Sequence, residues 1–168
     1  MGVVHLCLLG TSPGAVTSAL SYLVQEKEKR FSEVKGEIIE RVVIFTSEEV
    51  RREQAPAEEC ILNEYNRRNG NPWKDRNALS VVKKFVEEEI APEMPKKGRL
   101  ECCIVKENDF MDCFEKMAKV VLLLARPPAV GKHLWANITG GTNVMNAALL
   151  QVAFLSGLIG RIYYTFLA

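Results

Sequence analysis

With 168 residues, 48% of them hydrophobic, the chain has the size and apolar content of one globular domain with a two-sided core. That composition excludes an intrinsically disordered protein. The net charge of +1 provides no global field for long nucleic acid, so any nucleic-acid ligand should be small and gripped locally.

In chain order, Val3 to Leu9 reads as a buried strand, followed at once by Gly10-Thr11-Ser12-Pro13-Gly14. Val16, Ala19, Leu20 and Leu23 then recur at helical spacing. This predicts a helix with Ser12 as N-cap and Pro13 in its first position, ending in the charged run Gln25–Arg30. Arg41–Thr46 is a second strand. The polar stretch from Ser47 to Gly98 reads as a helical insertion (47–98). One helix is expected over about Glu48–Arg68, a turn at Asn69-Gly70-Asn71-Pro72, and a second helix over Ala78–Ile90 before Pro92 and Pro95. Its length beyond a minimal crossover makes it a candidate lid or partner contact.

Leu100–Val105 is a third strand, and Asp109 to about Ala125 a helix that Pro127-Pro128 ends. His133–Ile138 is a fourth strand leading into Thr139-Gly140-Gly141-Thr142-Asn143. The next helix, Val144–Leu155, is apolar nearly all round, as expected for burial on more than one side. Gly157 and Gly160 frame a turn into a last strand, Arg161–Phe166. Strands alternating with helices imply an α/β fold: a single Rossmann-like domain over 1–168, its parallel sheet in the core order 3-2-1-4-5 with helices on both faces. The winding then reverses between the first and fourth strands, and open sheets of this kind bind ligands outside the strand ends at that switch.

The two glycine-rich loops follow those same two strands. Each joins a strand to a helix start and offers backbone N–H groups, a positive helix end and small hydroxyls, which suits a phosphate. The first loop lacks the third glycine of a dinucleotide fingerprint and an acid about 20 residues on, which argues against NAD. A P-loop is absent too, because Gly131-Lys132 is followed by His133 and precedes a strand. A bulky residue at Gly141 is expected to block phosphate approach and leave the fold intact.

Other chemistry-bearing residues read as structural. The five cysteines (Cys7, Cys60, Cys102, Cys103, Cys113) form no CxxC and are expected as buried free thiols. His5 lies within a strand and reads as a packed core residue; with only two histidines, His5 and His133, no metal cluster is expected, and no cofactor. Trp73 and Trp135 read as core or interface residues, and Lys83-Lys84 with Glu87-Glu88-Glu89 as a solvated helix face. The longest apolar stretch, Val144–Ile159, carries Asn146, Gln151 and Gly157 and is short for a membrane span. Without a cleavable leader pattern, the expectation is a cytoplasmic protein with no membrane partner.

The segments LLGTSPGAVTSAL and NITGGTNVMNAALL, at opposite ends of a compact Rossmann-like chain, resemble the CARF (CRISPR-associated Rossmann fold) domain. The resemblance implies a homodimer binding a cyclic oligoadenylate, the second messenger of type III CRISPR systems, across the dimer axis. It places Gly10, Thr11, Ser12, Pro13 and Gly14, with Thr139, Gly140, Gly141, Thr142 and Asn143, against the ligand. Many family members carry lysine where this chain has Asn143, so a full positive charge near phosphate is replaced by a dipole. Two activities fit: a metal-independent ring nuclease, with Ser12 and Asn143 as catalytic residues, or a non-catalytic sensor controlling an effector. The expectation is the first, since no nuclease or DNA-binding domain follows Ala168, with a fragment of a longer effector as the alternative. Arg126 and His133 match the spacing of HEPN ribonucleases, but here the pair spans Pro127-Pro128 and enters a strand. An unrelated flavodoxin-like nucleotide-binding protein is the third reading.

Overall fold

Valine, isoleucine and leucine crowd the first two strands because both faces of a central parallel strand are covered by helices. In the computed structural model, which describes residues 2–30, 39–52, 77–90, 100–125 and 133–164, β1 (Val3–Leu9) holds that central place. It pairs in parallel with β2 (Ile39–Thr46) on one side and with β4 (Leu134–Asn137) on the other. β3 (Leu100–Ile104) joins β2, and β5 (Arg161–Tyr163) joins β4, completing a five-stranded parallel sheet in the order 3-2-1-4-5. The expected fold class, strand order and switch point are all present.

The period-two alternation of β1 sorts its side chains between two cores. Leu6 and Leu8 enter one, with Val43 and Phe45, against α4 (Phe110–Leu124) and α5 (Asn143–Ser156). Cys7 and Leu9 enter the other, with Ile44, against α1 (Gly14–Arg30) and α3 (Ala78–Phe85). Leu6, Leu8 and Leu9 are fully buried, each contributing roughly 1.5–3 kcal/mol of transfer free energy. All five strands point their C-terminal ends at the same rim.

Between β2 and β3 the described residues hold the short helix α2 (Glu48–Arg51), capped by the Ser47 hydroxyl, and α3, capped by Asn77, whose Oδ1 accepts from Ser80 N–H at 2.7 Å. A π-helical turn, Val86–Ile90, continues α3 as far as the sequence pattern reaches. The rest of the 47–98 insertion, including the expected 69–72 turn and Trp73, lies outside the described residues, as do Cys60 and Arg126. One expectation needs correcting: Cys102 is exposed and Cys103 only half-buried, because β3 is an edge strand whose outer surface no described element covers, whereas Cys7 and Cys113 are buried as expected. Trp135 is a core residue, with the Arg161 guanidinium 5.2 Å from its ring centre. No helix among the described residues is long and apolar enough to cross a membrane.

Candidate functional site

The two glycine-rich loops meet. A Cβ built on Gly10 would stand 3.7 Å from Gly141 Cα and 3.8 Å from its nitrogen, so the loops after β1 and β4 form one continuous backbone surface at the switch point. Glycine is required on the β4 side for two reasons. A Cβ on Gly140 would collide with the Leu8 carbonyl oxygen. Gly141 has φ +74°, and a Cβ there would lie 2.9 Å from Leu8 Cβ. The expectation that Gly141 accepts a bulky residue with the fold intact is therefore wrong: the left-handed backbone and the contact with Leu8 make it a structural position as well.

Both loops feed helix starts. At α5, Thr142 is the N-cap: its Oγ1 accepts from Met145 N–H at 3.3 Å and its carbonyl from Asn146 N–H. At α1 the first helical bonds run from Val16 and Thr17 N–H to the Pro13 carbonyl, both 3.0 Å. Pro13 thus stands at the cap, one residue later than expected, and Ser12 is displaced into the exposed loop because proline, lacking an N–H, loses nothing there. Gly14 and Ala15 on one side, and Asn143 and Val144 on the other, begin helices with N–H groups that have no helical acceptor. Neither loop carries an acid, so no carboxylate within them offsets the positive ends of the two helices.

The side chain that locks the loops together was not singled out from the sequence. Asn137, the last residue of β4, is fully buried; its Nδ2 donates to the Ala15 carbonyl at 3.1 Å and its Oδ1 accepts from Thr139 N–H at 2.8 Å. One amide thereby ties the first turn of α1 to the start of the second loop. The available signal was a polar residue ending an otherwise apolar strand, Leu134-Trp135-Ala136-Asn137. A second latch runs outward, where Thr142 Oγ1 donates to the Glu107 carbonyl at 2.7 Å.

No family model matches the chain. An uncharacterized protein of Archaeoglobus fulgidus is 30% identical over 195 residues, covering 99% of this chain and 57% of that protein. In structure the chain is similar to Can2 from Sulfobacillus thermosulfidooxidans in complex with cyclic tetra-adenylate, with TM-score 0.55 and 12% identity over 97% of this chain and 32% of that one. It is also similar to Enterococcus italicus Csm6 bound to cyclic hexa-2'-fluoro-hexa-dAMP, with TM-score 0.58 and 15% identity over 99% of this chain and 34% of that one. Both are CARF-domain proteins of type III CRISPR systems. The chain shares the Rossmann-like α/β fold of these two structures. It spans little more than half of the Archaeoglobus protein and about a third of each structural neighbour.

At the joined loops, Ser12, Thr11 and Asn143 are exposed, and the side chains of Ser12 and Asn143 make no hydrogen bond among the described residues. Asn146, in the first turn of α5, has a buried Oδ1 with no partner there, an acceptor unmet close to the loops. His5 sits away from the rim in the buried interior. Its Nδ1 is 2.9 Å from Cys7 Sγ and 3.4 Å from the Tyr163 hydroxyl. Burial holds its pKa down to about 3 and pushes the Cys7 thiol up, so both are neutral at pH 7. Among the described residues no group of histidines, cysteines and carboxylates is arranged to hold a metal ion.

Proposed function

We propose that the chain binds a cyclic oligoadenylate on the joined loops Gly10–Gly14 and Thr139–Asn143, within a CRISPR-associated antiviral system. The observation that carries this reading is the contact of Gly10 with Gly141, which merges two acid-free, N–H-rich helix starts into one surface at the switch point. The cyclic adenylates named with both structural neighbours point to the same ligand class.

A homodimer is the proposed assembly, since a symmetric ring calls for a symmetric cradle. Its support is the apolar surface left on α4 and α5, where Leu122, Leu123, Phe154 and Leu155 are each more than half exposed. The proposed chemistry is ring cleavage without metal: a ribose 2′-OH attacks the adjacent phosphate, and the 2′-O–P bond forms as the P–O5′ bond breaks. The 2′-OH proton passes to water and the departing 5′ oxygen takes a proton from water, leaving a 2′,3′-cyclic phosphate and a 5′-OH. The chain would need only to align that attack and stabilise the charge developing on phosphoryl oxygens. Loop amides and the exposed Ser12 and Asn143 side chains can donate in this way. The alternative is a non-catalytic sensor, favoured by the chain spanning only about a third of each structural neighbour.

The binding test is calorimetry with cyclic tetra- and hexa-adenylate, comparing the wild type with Thr11→Asp. Thr11 is exposed, so the fold should survive, while a carboxylate beside the phosphate should weaken binding at least ~10-fold. Undiminished binding by Thr11→Asp would refute the site. Mass spectrometry of the ring after incubation in excess EDTA, with Ser12→Ala alongside, separates nuclease from sensor: an intact ring leaves the sensor.

A further inference from the structure

Beside the glycine loops lies a second concavity that the loops themselves do not form. A cavity of about 670 Å³ opens at the C-terminal ends of β2 and β3, floored by Ile104 and Val105 and flanked by Ser47, Glu49, Glu107 and Asp109. That volume falls within the range of small-molecule sites. It adjoins both loops. Ser47 follows Thr46, whose hydroxyl donates to the Leu9 carbonyl at 2.8 Å just before Gly10. Glu107 is the residue whose carbonyl receives the Thr142 hydroxyl.

The charges here are opposite in sense to those of the loops. Four carboxylates (Glu48, Glu49, Glu107, Asp109) and two ammonium groups (Lys106, Lys116) line the cavity. Glu48 is taken up by Arg51 and Arg52, Lys116 by Asp112 at 2.9 Å, and Asp109 by capping α4. Glu49 and Glu107 form no ion pair among the described residues, and the buried Ser47 hydroxyl accepts from Val50 N–H while its own proton has no acceptor there. Lys106 likewise forms no ion pair among the described residues, so a phosphate would meet two unpaired carboxylates against one ammonium and is disfavoured. A flat, neutral group with amino hydrogens is not: its faces fit the apolar floor and its N–H groups suit unpaired carboxylates.

We infer that this cavity receives a nucleobase of the ligand and reads its exocyclic amine through Glu49 and Glu107. The inference rests on the reading of the glycine loops as the phosphate site. It divides the ligand by chemistry, phosphates on the acid-free loops and an amino-purine in the acidic cavity next to them. Hypoxanthine, with a keto oxygen in place of the amine, would set that oxygen against the same carboxylates, so adenine is selected over hypoxanthine.

The test is calorimetric titration of the whole chain with cyclic tetra- and hexa-adenylate and with the corresponding cyclic oligoinosinates, in which a keto oxygen replaces the amine. The wild type should bind an adenylate ring at least ~10-fold more tightly than its inosinate counterpart. Glu49→Ala combined with Glu107→Ala, at surface positions that leave the core untouched, should bring the two rings to similar affinity. Ile104→Trp, which fills the cavity, should weaken adenylate binding by a similar factor. Equal wild-type affinity for the two kinds of ring, or discrimination that survives loss of both carboxylates, overturns the base subsite and leaves the loops as the phosphate site. A wild type that binds neither kind of ring overturns both.

Discussion

Replacing Asn137 by alanine should loosen both glycine loops at once. The side chain is wholly buried and makes two bonds, Nδ2 to the Ala15 carbonyl at 3.1 Å and Thr139 N–H to Oδ1 at 2.8 Å. The Ala15 carbonyl remains a helical acceptor in α1, so losing the amide costs it about 1 kcal/mol. Thr139 N–H loses a buried acceptor that water cannot easily replace, a cost of about 1–3 kcal/mol. The sum is about 2–4 kcal/mol, which for a chain of this length lowers Tm by roughly 4–16 °C. Asn137→Asp is the sharper perturbation: it keeps the shape and the acceptor for Thr139, but sets a carboxylate oxygen against the Ala15 carbonyl in a dry site. Aspartate should therefore be at least as damaging as alanine. Thermal and urea melts measure the stability, and calorimetry with cyclic oligoadenylate measures the loop geometry. If Asn137→Asp melts with the wild type, the amide is not the latch and the reasoning fails.

Gly140→Ala should destabilise strongly, because its Cβ would meet the Leu8 carbonyl, whereas Gly10→Ala, in ordinary contact with Gly141, should shift the urea midpoint little. His5, held at a pKa of about 3 by burial against 6.5 unfolded, contributes stability that is full above pH 6.5 and is lost as pH falls toward 3. Between pH 6.5 and 5 that loss is about 2 kcal/mol, and His5→Gln should flatten this part of the urea-stability profile. Asn143→Lys, adding a positive charge at an exposed position of the second loop, should tighten cyclic oligoadenylate binding at low salt and speed any ring cleavage seen by mass spectrometry.

Much of the fold follows from local rules that operate within a few residues. The apolar runs Val3–Leu9 and Val42–Phe45, the helical spacing of Val16, Leu20 and Leu23, and the glycines that break them determine which segments are strands and helices and hence the 3-2-1-4-5 order. The two loops were legible because glycine and threonine between a strand and a helix leave few alternatives. Where proximity across the chain decides, local pattern is silent. That Asn137 reaches Ala15, 122 residues away, that Leu8 forbids a side chain on Gly140 and Gly141, and that Ser12 gives its capping place to Pro13 all depend on how strand ends stack at one rim. Cys102 was misjudged for a like reason: its strand is at the sheet edge, and only the completed pairing of β3 with β2 alone leaves that thiol exposed. The cavity between β2 and β3 is likewise a property of the tertiary structure, because its lining from Ser47–Glu49 and Ile104–Asp109 meets only after the intervening chain has returned the third strand beside the second.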